Sequence, residues 1–342
     1  MRARDLAAIF LLAALWGGSF LFIRIAAPAL GPFPLSAGRV MLAALVLWVG
    51  MRALGQRPAL RSNARKLLIL GALNAAIPFS LIAAAELRLT ASLAAMLNAT
   101  VPLWGVLFAA FWLGERLTAG RGAGLLLGLV GVGVLVGWSP ITLTPAIVLS
   151  VAATLIATGA YALAGVYAKR QLAGVSAPTL ALGQQLGAAA WLMVPALWQL
   201  PHAHPTRPAA LALVALALLS TTVAYLIYFH LIATVGPTKT TTVTYLLPLF
   251  GMLWGALFLG EPVTGGMVVG LILILASVLL VNEVRIGDLL ARRRTAQEGA
   301  ACRSRVVRRA ARARSASRAV AQALRAYETA RGRRSPAGMG PA

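Results

Sequence analysis

Apolar residues run along this chain in stretches of roughly 20, separated by short turns rich in Gly, Pro and Arg. A helix of that length crosses a hydrocarbon core about 30 Å thick. Alternation at period two is absent, which argues against a membrane β-barrel. The pattern predicts ten membrane helices, over residues 5–25, 34–54, 66–86, 91–112, 121–137, 145–168, 177–200, 208–231, 238–259 and 265–282. Their ends fall at Gly31-Pro32-Phe33-Pro34, Gly55 to Pro58, Ser139-Pro140, Pro201 to Pro208 and Gly236-Pro237. Proline ends helices because it lacks a donor, and glycine because it has little steric preference. The first stretch holds Trp16 and Arg24 and no small-residue cleavage site, so it reads as a retained helix rather than a signal peptide.

Two of these stretches repeat each other. Residues 98–118 read NATVPLWGVLFAAFWLGERLT and residues 244–264 read TYLLPLFGMLWGALFLGEPVT. At an offset of 146 residues, Pro102 falls on Pro248, Gly114 on Gly260, Glu115 on Glu261 and Thr118 on Thr264. An internal repeat constrains the architecture. It divides the chain into a five-helix unit at 1–137, a link at 138–144, a second five-helix unit at 145–284 and a tail at 285–342. Lys and Arg orient the units. Arg2, Arg4, Arg52, Arg57, Arg61, Arg65, Lys66, Arg116, Arg121, Lys169, Arg170, Lys239 and the tail fall on one side, with little beyond Arg88 and Arg207 on the other. This positive-inside bias puts both termini in the cytoplasm. Five is an odd number, so the two units run in opposite senses, an inverted repeat of the kind used by alternating-access carriers. The expected fold is an all-α, multi-pass protein of the cell (inner) membrane.

Composition supports that class. Hydrophobic residues make up 60% of the chain and charged residues 11%, against about 25% charged in a soluble domain. The net charge of +23 resembles a nucleic-acid signal, but fourteen Arg and two acids from Arg292 onward account for +12 of it. No nucleic-acid partner is expected. The Ala/Arg/Ser-rich tail is expected to be disordered or weakly helical in water. Its expected partner is membrane lipid, since each basic residue near anionic headgroups gains about 1 kcal/mol. A partner-binding tail and a functionless extension are the alternatives. Cys302 is the single cysteine and no His/Cys cluster has ligand spacing, so neither a disulfide nor a metal is expected. No nucleophile–base pair or phosphate loop stands out, so no enzyme activity and no cofactor are expected.

Candidate chemistry lies in polar residues at membrane depth. A charge there costs about 2.5 kcal/mol or more, so it is usually paired, wet or functional. Arg39 lies about five residues into the second predicted helix. Its planar fork of donors suits a carboxylate, as a substrate anchor or a partner to an internal acid; the alternative is a side chain snorkelling to the outer interface. Glu86, two residues before Arg88, is a candidate proton-carrying carboxyl, or else an interfacial ion pair with Arg88. Asn98 and Thr244 precede Pro102 and Pro248, the expected helix breaks. A proline at membrane depth frees a carbonyl, which is tolerated where it lines a cavity; paired interruptions in two halves point to a central site. Trp16, Phe20, Tyr225, Tyr228 and Trp254 are candidate cavity aromatics, with faces for an ammonium. Interface anchoring is the alternative for them. Glu115 and Glu261 read as structural acids in short turns, with Thr118 and Thr264 as caps of the following helices. Gly120, Gly124 and Gly128, and Gly266 and Gly270, read as close-packing faces between the halves or between protomers of a homodimer.

Five segments carry a resemblance. They are Leu15-Trp16-Gly17-Gly18-Ser19-Phe20 running to Arg24; Pro34-Leu35 with Gly38-Arg39; Ala85-Glu86 through Leu97-Asn98-Ala99-Thr100-Val101-Pro102; Leu113-Gly114-Glu115-Arg116-Leu117-Thr118; and Ala224-Tyr225 to Pro248-Leu249-Phe250-Gly251 and Leu259-Gly260-Glu261-Pro262. In that order, over about residues 5–282, the chain resembles the EamA-type family of the drug/metabolite transporter superfamily. The resemblance implies ten helices, two EamA units and export of small metabolites. The Trp-Gly motif has no clear copy near Tyr161, so the halves are expected to contribute unequally. The expected function is secondary active export of a small organic solute, an amino acid or related metabolite or a drug, by alternating access with proton coupling. An uncoupled facilitator and a non-transporting receptor or scaffold are the alternatives.

Overall fold

The computed structural model describes residues 3–114, 116–139 and 142–282. Glu115, Pro140 and the basic tail lie outside the described residues. The described residues are helical, with no strand among them. The helices are α1 (Ala3–Leu30), α2 (Pro32–Ala53), α3 (Ala64–Gly71), α4 (Ile77–Ala85), α5 (Ala91–Asn98), α6 (Val101–Leu113) and α7 (Ala119–Gly137). They continue as α8 (Pro145–Gln171), α9 (Ala177–Gln199), α10 (Arg207–Ala217), α11 (Ala224–Val235), α12 (Pro237–Thr240), α13 (Val243–Leu259) and α14 (Gly265–Val281). Eight continuous helical runs are long and apolar enough to cross a membrane, and α13 and α14 are shorter apolar helices.

Local chemistry sets the ends. Thr90, Thr118, Thr144, Thr206 and Thr264 each accept a backbone hydrogen bond three residues on, so the expected caps at Thr118 and Thr264 form. Gly114 and Gly260 close α6 and α13 in the left-handed region, φ 68° and 63°, where a Cβ is penalised.

Two departures from the expected helices matter for the site. The third and eighth predicted helices are not uniform: a π-helical turn at Ala72–Ala76 joins α3 to α4, and one at Leu218–Val223 joins α10 to α11. Thr221 and Thr222 return their hydroxyls to the carbonyls of Leu216 and Ala217, five residues back. Such widened turns are frequent at functional sites. The expected pair of proline breaks is also corrected. Pro102 does follow a break, at Ala99-Thr100, but Pro248 lies inside α13. In the second half the interruption falls earlier, at Thr241-Thr242.

The core is shared between the halves. One buried cluster joins Phe20, Ile23 and Leu35 to Ala157, Leu216 and Leu247. The glycine faces pack α7 on α14: an added Cβ at Gly131 would meet Ile274 Cγ1 at 2.9 Å, and one at Gly270 would meet Leu135 Cα at 2.7 Å. Gly124 and Gly128 also face α14, whereas Gly120 does not. In this structure the seam therefore joins the two halves. Glu261 does not serve only its own turn. Its carboxylate accepts from the backbone N–H groups of Ala91 and Ser92 at 2.8 and 2.9 Å and from the Ser92 hydroxyl, capping α5 of the other half.

Candidate functional site

A cavity of about 270 Å³ lies between the halves, walled by α1, α2, the first π turn, α4, α5, α6, α8 and α11–α13. Seven of the sequence-predicted residues share its lining: Trp16, Phe20, Arg39, Asn98, Tyr225, Tyr228 and Thr244. Arg39 is 5% exposed, so it is not a snorkelling side chain. Its Nε donates to Thr221 Oγ1 at 2.8 Å, and its guanidinium carbon sits 3.7 Å from the centroid of the Phe79 ring. Thr221 belongs to the second π turn, so that turn holds a hydroxyl where the arginine of the other half needs an acceptor. Among the described residues no Asp or Glu lines the cavity. Arg39 is therefore a desolvated cation on a wall without an anion, which suits a ligand carboxylate.

The aromatic wall is a connected cluster. Trp16 lies 5.4 Å from Tyr228 and 6.3 Å edge-on from Tyr225, centroid to centroid. Asn74, in the first π turn, donates to Tyr225 Oη at 3.2 Å and to Gln184 Oε1 at 2.7 Å. Asn98 has its Oδ1 buried without a partner at the cavity wall. Thr244 donates to the carbonyl of Thr241 at 2.7 Å, across the interruption.

Two predicted residues stand elsewhere. Trp254 is not on the wall; its indole N–H donates to the Ala14 carbonyl at 3.0 Å and its ring stacks on Phe250. A half-buried tryptophan whose indole N–H reaches across to Ala14 pins α13 to α1. Glu86 is fully buried, away from the lining, and neither carboxylate oxygen has a hydrogen-bond partner among the described residues. The alternative pairing with Arg88 does not form. Arg24 instead donates to the backbone carbonyl of Glu86.

Ser19, Asn74, Phe79 and Tyr161, which are not among the candidates from sequence, also line the cavity. A signal for two of them was present. Phe79 stands 146 residues before Tyr225, and Asn74 the same distance before Ser220. Carrying the repeat offset beyond the matching proline segments would have marked both.

The model of the EamA-like transporter family matches residues 5–137 and 147–283. A "Probable terminal-alkyne amino-acid exporter" of Streptantibioticus cattleyicolor is 26% identical over 285 residues, covering 82% of this chain and 94% of that protein. The "Uncharacterized inner membrane transporter YedA" of Escherichia coli is 28% identical over 271 residues, covering 76% of this chain and 86% of the relative. A solved crystal structure superposes with a TM-score of 0.59 at 22% identity, over 86% of this chain and 99% of its own, a likeness of fold. With the family model matched across both helical halves, and a cavity between them, the chain belongs to the EamA-like transporter family and is a multi-pass membrane transporter rather than an enzyme.

Proposed function

We propose that this protein exports a small organic solute bearing a carboxylate, an amino acid or a related metabolite, by alternating access. One observation carries the reading. The cavity between the halves presents a buried arginine and aromatic faces, with no acidic side chain among the described residues of its wall. Such a wall offers an anion a fixed positive charge and gives an apolar body flat surface. The amino-acid exporter among the relatives is consistent with that chemistry. In this reading the ten predicted spans form two inverted five-helix repeats with both termini cytoplasmic, in the cell (inner) membrane, and rocking of one half against the other exposes the cavity to each side in turn. The tail contacts anionic lipid headgroups.

Glu86 is the proposed proton carrier. A carboxyl group whose oxygens make no hydrogen bond takes up or releases a proton without breaking a structural contact. The test is reconstitution into liposomes with a panel of labelled amino acids and metabolites, with and without an imposed pH gradient. Gradient-driven uptake by the parent, lost in Glu86→Gln while gradient-free exchange persists, is the expected outcome. Equal uptake with and without the gradient replaces the coupled carrier with a facilitator. No uptake of any solute by folded protein removes the transport reading.

A further inference from the structure

The offset of 146 residues holds at both ends of one pair of segments. Ala91 opens α5 and Pro237 opens α12; Leu113 closes α6 and Leu259 closes α13. Residues 91–113 and 237–259 therefore pair without a gap, although their breaks fall at different places. Gly105 pairs with Gly251, Ala95 with Thr241 and Val101 with Leu247.

The two copies are packed differently. Ala91 through Leu97 of α5 are all buried, chiefly against α1, α8 and α13. In the second copy Lys239, Thr241 and Thr242 are exposed, and α12 packs on α11 with no comparable contact to α6 or α8 among the described residues. The paired glycines mark the same difference. An added Cβ at Gly251 would clash with the Cβ of Ala95, so α5 and α13 touch at that point, with the Glu261 carboxylate holding Ser92 one turn away. An added Cβ at Gly105 would have nothing within 4 Å. Yet Gly105 stands one turn after Val101 on the same face of α6, and Val101, Thr241 and Thr244 all line the cavity. Equivalent segments in unequal packing are what an inverted repeat presents in any single access state. One end is shut and its counterpart stands open. Exchange of the two arrangements brings Thr241 to Gly105 as Ala95 now meets Gly251.

We propose that the present conformation is open at the α12 end, and that Gly105 is the seat on which Thr241 closes in the opposite access state. The space at Gly105 is empty here because the contact it serves belongs to that other state. A glycine is needed because a side chain there would hold the two segments apart, as one at Gly251 would part α5 from α13. In the proposed topology the open end is cytoplasmic, and the shut end, held by Glu261, faces outward. The inference rests on the alternating-access reading and names the contact that alternates.

The first test is chemical and independent of transport. Cys302→Ser removes the native thiol; Gly105→Cys and Thr241→Cys are then combined and oxidised mildly in membranes. A disulfide needs Cα atoms within about 7 Å, so it captures the closed contact. Cross-linking of this pair, and none between Thr241→Cys and Gly133→Cys of α7, is expected. Equal cross-linking of both pairs overturns the inference, as does no cross-link while each single cysteine reacts with a water-soluble methanethiosulfonate. The second test reads turnover. Gly105→Leu fills a space that is empty here, so a parental thermal midpoint is expected together with uptake lowered at least about tenfold. Gly133→Leu, also into open space, is expected to keep parental uptake. Parental uptake by Gly105→Leu overturns the inference. A parent that carries no solute, while the cysteine pair still joins, removes the export reading and leaves the closing contact standing.

Discussion

At the scale of the residue, the proposed binding chemistry centres on Arg39. A buried guanidinium in a membrane span carries a penalty of about 2.5 kcal/mol or more, offset here by the Thr221 hydroxyl and the Phe79 face. That leaves the rest of the fork for a ligand. Replacing Arg39 by Ala removes the cavity's charge and is expected to lower uptake at least about 100-fold, with membrane levels unchanged. Arg39→Lys keeps the charge and loses the planar fork, so intermediate uptake is expected. Uptake by Arg39→Ala equal to the parent at matched membrane levels would remove the anchor role. Arg39, Trp16 and Tyr225 were legible in the sequence because a charge or an amphipathic ring deep in an apolar stretch needs a reason to be there. Phe79 was not, because a phenylalanine in an apolar helix is unremarkable until a cation is found above its ring. Trp254 misled for a related reason: its indole finds a backbone carbonyl on α1, and the sequence does not show which carbonyl lies near.

At the scale of the element, period and spacing gave helix positions well but not their interior geometry. The apolar runs for the third and eighth predicted helices are hydrophobic all round, so a widened turn leaves no mark on their periodicity; the π turns at Ala72–Ala76 and Leu218–Val223 became visible only as structure. Pro248 marked a break that actually falls at Thr241-Thr242, since a proline is tolerated inside a membrane helix when neighbours re-satisfy the freed carbonyl. Of the glycines on the two expected faces, Gly124, Gly128, Gly266 and Gly270 form packing surface and Gly120 does not, and the structure supplies the partner. Between α7 and α14 the association comes from van der Waals contact at close approach, because lipid is as apolar as leucine. Adding one methyl at Gly270 or Gly131 is therefore expected to destabilise by about 1–3 kcal/mol. Gly133, on the same helix as Gly131 with nothing within 4 Å of an added Cβ, is the control, where alanine is expected to be neutral or mildly stabilising. Thermal midpoints in detergent measure all three. A drop at Gly133→Ala equal to that at Gly270→Ala would show that the α7–α14 seam does not depend on close approach.

At the scale of the whole molecule, binding chemistry and charge occupy different parts of the chain. The cavity is closed by residues between Trp16 and Leu247, and the seam by α7 and α14. Glu261 of the second half caps α5 of the first, tying the halves at an end away from the cavity lining. The side chains proposed to recognise a small anion lie between Trp16 and Thr244, whereas fourteen arginines stand from Arg292 onward. In the proposed reading a basic segment of that kind acts through lipid headgroups, over a Debye length of about 10 Å at 0.1 M salt. Deleting residues 292–342 is therefore expected to leave substrate affinity unchanged and uptake within about twofold of the parent. The measurement is initial uptake into liposomes of anionic lipid, at low and high salt, for parent and truncated protein at equal incorporation. A truncated protein that inserts normally and yet carries nothing would move the function from the cavity to the tail, and with it from carrier to membrane-bound adaptor.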